Sequence, residues 1–345
     1  MDQIGTTCPE LSAVVPVYNE EGSLCELHRR VTNVLESMMV SYELILVDDG
    51  SRDRTSELIS ELAHSDSRVR GVHFSRNFGH QAALAAGLQH AQGQAVVVLD
   101  GDLQDPPELI PDLVKRWREG FQVVCAQRRQ RSGEGWVKRG AAYLFYRCLR
   151  RITRFEIQAD TGDFCLMDQA VVRLLNQMPE RNRYVRGLRA WVGFRQTTVL
   201  FDRPPRFAGE PKYNFAGSLG LAVDGILALS KFPLRVATYF GLVVSLASFL
   251  LGIWYIIQRM AGNTSLVRGW ASIVVIVLFL GGVQLLTIGI IGEYLSRIYD
   301  EVKQRPLFVI RERVGFPQQL TSSGNAAAAD PSRCAAEQVN ASSAP

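Results

Sequence analysis

The residues most able to do chemistry are Asp100-Gly101-Asp102, set at the end of the apolar run Ala95-Val96-Val97-Val98-Leu99 and followed by Leu103-Gln104-Asp105-Pro106-Pro107. A β-branched run that stops at two aspartates puts both carboxylates just past the tip of a buried strand, where open α/β sheets bind ligands. Hard oxygen ligands spaced i, i+2 can share one divalent cation and leave water and substrate phosphate to complete an octahedral Mg²⁺ or Mn²⁺ shell. Other strand ends carry similar groups. Tyr18-Asn19-Glu20-Glu21 follows Leu11–Val17, Asp48-Asp49-Gly50-Ser51 follows Tyr42–Val47, and a segment from Ser75 through His80 to Gln81 follows Val69–Phe74. After Val123–Ala126 come Arg128, Arg129 and Arg139, whose forked, permanently charged guanidiniums suit a diphosphate, although Arg128 to Arg131 also reads as a solvated surface run.

The elements that must position these groups alternate. An amphipathic helical stretch from Ser23 to about Met39, a helix from Asp53 to about Ala63 and a small-residue helix from Ala82 to Ala91 separate the four apolar runs. Strand and helix in alternation predict a mostly parallel, doubly wound α/β sheet, with the acidic and amide residues gathered on its carboxyl edge. His80, next to one of these loops, reads more readily as a structural hydrogen-bonder than as a ligand.

The chain has 345 residues and a formal net charge of +4, which gives no footprint for nucleic acid. Its six cysteines form no Cys-x-x-Cys pair and its five histidines are scattered, so a zinc site has no support and the thiols are expected to be reduced and mostly buried. Val236 to Gln258 and Trp270 to Gly292 are each 23 residues without a charge. At 1.5 Å per residue, each can cross a hydrocarbon core of about 30 Å. Lys231 and Arg235 before the first run, and Arg297, Lys303, Arg305, Arg311 and Arg313 after the second, outnumber Arg259 and Arg268 between them, which places both termini in the cytoplasm. The resulting plan is a polar tail (1–10), a catalytic domain (11–214), an interfacial amphipathic helix (215–235), two transmembrane helices (236–258 and 270–292), a juxtamembrane segment (293–316) and a disordered tail (317–345). Gly281-Gly282 and Gly289-x-x-Gly292 are spaced for close helix packing.

Pro16-Val17-Tyr18-Asn19-Glu20-Glu21, Asp48-Asp49-Gly50-Ser51 and Asp100-x-Asp102-x-Gln104-Asp105-Pro106-Pro107 together resemble the signature set of the inverting family 2 glycosyltransferases with the GT-A fold. Ala159–Asp168, Arg206-Phe207-Ala208-Gly209-Glu210-Pro211-Lys212-Tyr213 and the paired spans narrow the resemblance to the polyprenyl-phosphate glycosyltransferases, with bactoprenol glucosyltransferases nearest and dolichyl-phosphate mannose synthases more distant. The likeness covers about residues 10–315. It implies a GT-A catalytic domain with a C-terminal transmembrane hairpin, anchored in the inner (plasma) membrane. It also implies a nucleotide-sugar donor, with UDP-glucose favoured, a polyprenyl phosphate acceptor, a Mg²⁺ or Mn²⁺ cofactor and a homo-oligomer that can be a tetramer.

Carried over residue by residue, the resemblance gives Asp100 and Asp102 the metal, with Asp102 as its main ligand. Pro16, Tyr18, Glu20, Asp49, Gln81, Asp100, Gln104, Arg128 and Arg139 take the nucleotide sugar. Asp163 in the Thr-Gly-Asp-Phe segment, read as a turn, is the base or orienting carboxylate. Arg206 and Lys212 grip the lipid phosphate or close over the donor. A phosphate monoester is already anionic at neutral pH, so the acceptor site should favour positioning and cation clamping over general-base power. One departure stands out: Cys165 occupies a position where the family pattern leads one to expect arginine. A processive polysaccharide synthase shares this fold but uses a Gln-x-x-Arg-Trp motif and more spans, and Gly187-Leu188-Arg189-Ala190-Trp191 lacks that motif. UDP-galactose, a UDP-aminosugar and GDP-mannose remain open as donors.

Overall fold

Four apolar runs of the N-terminal half become adjacent strands. A computed structural model describes residues 8–129, 161–181, 183–202, 232–261 and 270–316. β1 (Leu11–Val17) and β2 (Tyr42–Asp48) are buried along their whole length, as strands covered on both faces must be. β1 pairs in parallel with β2 and with β4 (Ala95–Val98), and β2 pairs in parallel with β3 (Val69–Phe74). The helices α1 (Leu24–Ser37), α2 (Thr55–Ser65) and α3 (His80–His90) make the crossovers. In α1 the buried Leu24, Leu27, Val31 and Leu35 recur at helical spacing and join the core. In α3 the small residues have a packing reason. A Cβ on Gly87 would collide with Val14 Cγ1, so the helix lies close on β1 and delivers its first residue, His80, to the carboxyl edge.

The second half of the sheet is less regular. α4 (Ile110–Arg118), α5 (Gln169–Gln177) and α6 (Val185–Trp191) accompany β5 (Val123–Arg128), β6 (Thr161–Asp168) and β7 (Gln196–Phe201), and with a last strand β8 (Ile310–Val314) the order is β7-β5-β6-β4-β1-β2-β3-β8. The Thr-Gly-Asp-Phe segment, expected as a turn, is instead the start of β6, which lies antiparallel between β4 and β5. Strand β8 was not anticipated within the juxtamembrane segment; it adds antiparallel to β3. Its entry is fixed by Phe308, whose ring stacks on the buried Phe74 at 5.0 Å, and by Ser75 N–H donating to the Val309 carbonyl at 2.9 Å.

The two long apolar runs form α7 (Phe232–Met260) and α8 (Trp270–Val302), each longer than its expected span. The stretch Phe279–Val302 is long and apolar enough to cross a membrane, and a shorter apolar stretch covers Val236–Leu251. Among the described residues, an added Cβ on Gly281, Gly282, Gly289 or Gly292 meets nothing within 4 Å. One expectation needs correcting. Of the cysteines in the described residues, Cys125 and Cys165 are buried but Cys8 and Cys25 are exposed. The expected interfacial helix (215–235) lies outside the described residues up to 231, and the tail (317–345) lies wholly outside them.

Candidate active site

Parallel pairing puts the ends of β1, β2 and β4 on one edge, and antiparallel β6 begins there. Its register with β4, Val98 opposite Cys165, brings Asp100 level with Asp163 when extended by two residues on each strand. Asp100, Asp102 and Asp163 thus come from two separate segments to one point.

The turn after β4 is tightly held. Gly101 packs so closely that a Cβ there would sit 2.8 Å from Val17 Cγ1. Its carbonyl lies 3.0 Å from the Ser23 hydroxyl, which is also 2.9 Å from Glu20 Oε2. Leu103 takes a left-handed φ of 60° with its side chain buried, a conformation unusual for a side chain of this kind, and functional turns often store such strain. The Gln104 N–H donates to Asp102 Oδ1 at 3.1 Å, and the Asp100 N–H to Asp105 Oδ2 at 3.3 Å.

On the other side of β1, the loops after β1 and β2 brace each other. Asn19 N–H donates to Ser51 Oγ at 3.0 Å, Arg52 N–H to Asn19 Oδ1 at 2.8 Å, and Glu20 N–H to Thr55 Oγ1 at 2.9 Å. Pro16 lies within β1, opposite Val47, and Tyr18 follows that strand. Asp48 and Asp49 divide their roles. Asp48 turns into the protein, where burial favours its neutral form but hydrogen bonds from His73 and Ser51 outweigh it and lower its pKa. Asp49 accepts the N–H groups of Phe78 and Gly79, yet burial dominates and raises its pKa. Gly50 is required as glycine, with φ of 69° and the Arg76 backbone against it.

The centre of the site is a cluster of charges. Arg186, on α6, forks onto Asp163, with Nε and Nη2 each donating at 2.8 Å. His80 Nε2 lies 3.3 Å from Asp163 Oδ2 and 3.7 Å from Asp100 Oδ1. Burial opposes the Asp163 charge, but Arg186 and then His80 overwhelm it, so the carboxyl is held far below the usual range. Asp100 goes the other way: burial, with Asp163 and Asp102 beside it, raises its pKa despite His80. Burial works against a charged His80, and the two carboxylates reverse it. Among the described residues, the buried Asp100 Oδ1 has no hydrogen-bond partner. An orphaned carboxylate oxygen among mutually repelling carboxylates fits a site for a divalent cation, although the described residues hold no group of three protein ligands for one. Asp100 and Asp102 are the residues able to hold it, with the remaining positions left to substrate and water.

Other expected residues fall nearby. Arg128 Nη2 reaches the side of Gly162, next to Asp163. Gln81 Oε1 accepts from the Val185 N–H at 3.0 Å, tying α3 to the start of α6. Arg139, Arg206 and Lys212 lie outside the described residues. The sequence reading missed Arg186 and Arg189 and treated His80 as structural. The recurrence of Arg183, Arg186 and Arg189 at i, i+3 among apolar residues, leading into and along α6, was the available signal. Arg189 also bears on the departure at Cys165. It is buried, donates to the Gly162 carbonyl at 3.4 Å and lies against Cys165, whose thiol burial pushes up to about 12. A guanidinium therefore does stand beside β6, supplied by α6 instead of by position 165.

Residues 12–175 match the model of glycosyl transferase family 2, and residues 232–298 match the GtrB C-terminal hairpin. An uncharacterized glycosyltransferase of Synechocystis is 48% identical over 307 residues, spanning 89% of this chain and 96% of its own. The chain belongs to the family 2 glycosyltransferases. A bactoprenol glucosyl transferase of Shigella phage SfII is 44% identical over 304 residues, 88% of this chain and 98% of that protein. An uncharacterized glycosyltransferase of Bacillus subtilis is 45% identical over 307 residues, 89% of this chain and 95% of its own. As a family 2 enzyme the chain is a glycosyltransferase with the mostly parallel GT-A-like sheet described above, and its C-terminal hairpin associates it with the membrane.

Proposed function

We propose that this enzyme transfers a single sugar, glucose from UDP-glucose being the favoured case, onto a polyprenyl phosphate such as undecaprenyl phosphate at the cytoplasmic face of the inner membrane. The observation that carries the reading is the convergence of Asp100, Asp102 and Asp163 on one sheet edge, in a chain that continues into an apolar helical hairpin. Near-full-length likeness to proteins named bactoprenol glucosyl transferases supports the acceptor class and the sugar.

In this reading the nucleoside sits against Pro16, Tyr18, Glu20 and Asp49, with acidic side chains accepting from base or ribose. Arg128, Arg139 and Gln104 face the diphosphate, and Gln81 shapes the pocket. Asp100 and Asp102 would hold Mg²⁺ or Mn²⁺, which as a Lewis acid offsets charge gathering on the leaving diphosphate. Single displacement at the anomeric carbon inverts its configuration. Asp163 orients the groups on the acceptor side, since an anionic phosphate needs little help losing a proton. Arg206 and Lys212 close over donor or lipid. α7 and α8 span the membrane with both termini inside, consistent with the excess of Lys and Arg outside the hairpin loop. Copies associate through the hairpin, where the glycine face of α8, which meets none of the described residues, lets a neighbouring helix approach.

The test uses purified protein in detergent with undecaprenyl phosphate, Mg²⁺ or Mn²⁺ and a panel of radiolabelled nucleotide sugars. Organic-phase label from one donor, lost with Asp102→Asn and with EDTA, is the expected result. No lipid-soluble label from any donor, with the protein shown to be folded, would refute it.

A further inference from the structure

The cluster around Asp163 has a layered exposure. The Asp163 side chain is only 4% exposed, whereas Arg186 is 31%, His80 36% and Asp100 33% exposed. A molecule entering this part of the site therefore meets Arg186 and His80 before it meets the carboxylate that holds them. A carboxylate clamped by two guanidinium N–H donors and an imidazole is also a weak proton acceptor, so its position suits holding cations better than taking a proton.

We propose that Arg186, held by Asp163 and flanked by His80, binds the phosphate of the acceptor. This rests on the reading above that the acceptor is a phosphate monoester on a lipid. Three observations meet here. Guanidinium is the side chain best matched to a phosphate, because its planar fork fits the oxygens of an anion. Arg186 lies on α6, whose start is pinned by Gln81 Oε1 on the Val185 N–H, so the fork is fixed from the backbone side as well as by Asp163. The same group stands beside the Asp100 turn, so an anion on Arg186 lies next to the donor's diphosphate end, as a nucleophile must. The loop before α6 also meets the end of α8, where Glu301 Oε1 accepts the Arg181 N–H at 2.8 Å. The acceptor-side helix is thereby tied to the helix expected to touch lipid.

The experiment compares binding of undecaprenyl phosphate and undecaprenol to the full chain in detergent, together with transfer kinetics. The variants are Arg186→Ala, Arg186→Lys and the double variant Arg186→Ala with Asp163→Asn. The double variant removes the buried charge that the single one would orphan. The wild type is expected to prefer the phosphate over the alcohol, and both alanine variants to lose that preference. The KM for lipid phosphate should rise about tenfold or more with the KM for the nucleotide sugar little changed, and lysine should restore part of the loss as a point charge. A folded alanine variant that keeps the preference overturns the proposal, as does a wild type with none. A fall in kcat with both KM values unchanged also overturns it, because Arg186 would then only position Asp163. If the wild type shows the preference but transfers sugar from no donor, the glycosyl-transfer reading fails while the phosphate site stands.

Discussion

Replacing Gly101 with alanine tests whether the turn after β4 is held as tightly as its packing indicates. The added Cβ would lie 2.8 Å from Val17 Cγ1 and 3.4 Å from the Pro16 carbonyl oxygen. Ordinary contact begins near the second of these distances, so the turn or Val17 must give by about 0.6 Å. Val17 is buried at the end of β1 and the Gly101 carbonyl is held by Ser23, so the turn has little room to relax. Overpacking of this kind costs about 1–3 kcal/mol. More telling is its effect on function, because a shift of the Asp100–Asp102 turn displaces both proposed metal ligands. Misplacement on the ångström scale costs about a hundredfold in rate, so a loss of about tenfold to a hundredfold in transfer is expected, with weaker Mn²⁺ binding. The control is Gly162→Ala, one residue from Asp163, where among the described residues the new Cβ would meet Phe164 N at 3.8 Å and Arg128 Nη2 at 4.0 Å. Organic-phase counting of labelled lipid and Mn²⁺ titration followed by electron paramagnetic resonance measure both effects. Gly101→Ala with wild-type rate and metal affinity, or a Gly162→Ala defect as large, would refute the reasoning.

Three other perturbations probe separate parts of the argument. Asp48 has a lowered folded-state pKa, so its contribution to stability is present above the ordinary carboxylate range and is lost as pH falls through that range toward the folded value. Asp48→Asn should therefore lower the melting temperature at neutral pH and flatten its fall in acid, measured by thermal unfolding between about pH 7 and pH 3. Phe308→Ala removes the ring stacked on Phe74 and should cost about 1–2 kcal/mol, seen as a lower denaturant midpoint and faster proteolysis near Arg305. Cys165→Arg, which installs the residue expected from the family pattern, would press a second guanidinium against buried Arg189. It should destabilise by about 3 kcal/mol or more, and adding Arg189→Ala should recover much of the loss, read by chemical denaturation.

The strand ends read at Val17, Val47 and Leu99, each within a residue of the observed ones, and the carboxylates around them were legible because they depend on local pattern. A β-branched run ending in Asp, Gly or Asn terminates a buried strand whatever lies elsewhere in the chain, and parallel strands share one carboxyl edge. The long uncharged runs were legible for the same reason, since length and composition suffice to make α7 and α8. The Asp163 segment was misread as a turn because Thr-Gly-Asp carries turn residues, while its strand conformation comes from ladders with β4 and β5 that no local window contains. β8 depends likewise on an edge of β3 far away in sequence, and on Phe74 offering a ring to Phe308.

By itself the sequence determined which residues could do chemistry and which edge of the sheet would carry them. Only the tertiary structure decided which of them meet. Arg186 reaches Asp163 because α6 packs beside β6, and His80 does so because Gly87 lets α3 lie close on β1. Periodicity and turn chemistry act over a few residues, whereas a charge cluster depends on packing distances between elements, and those are set only when the core closes.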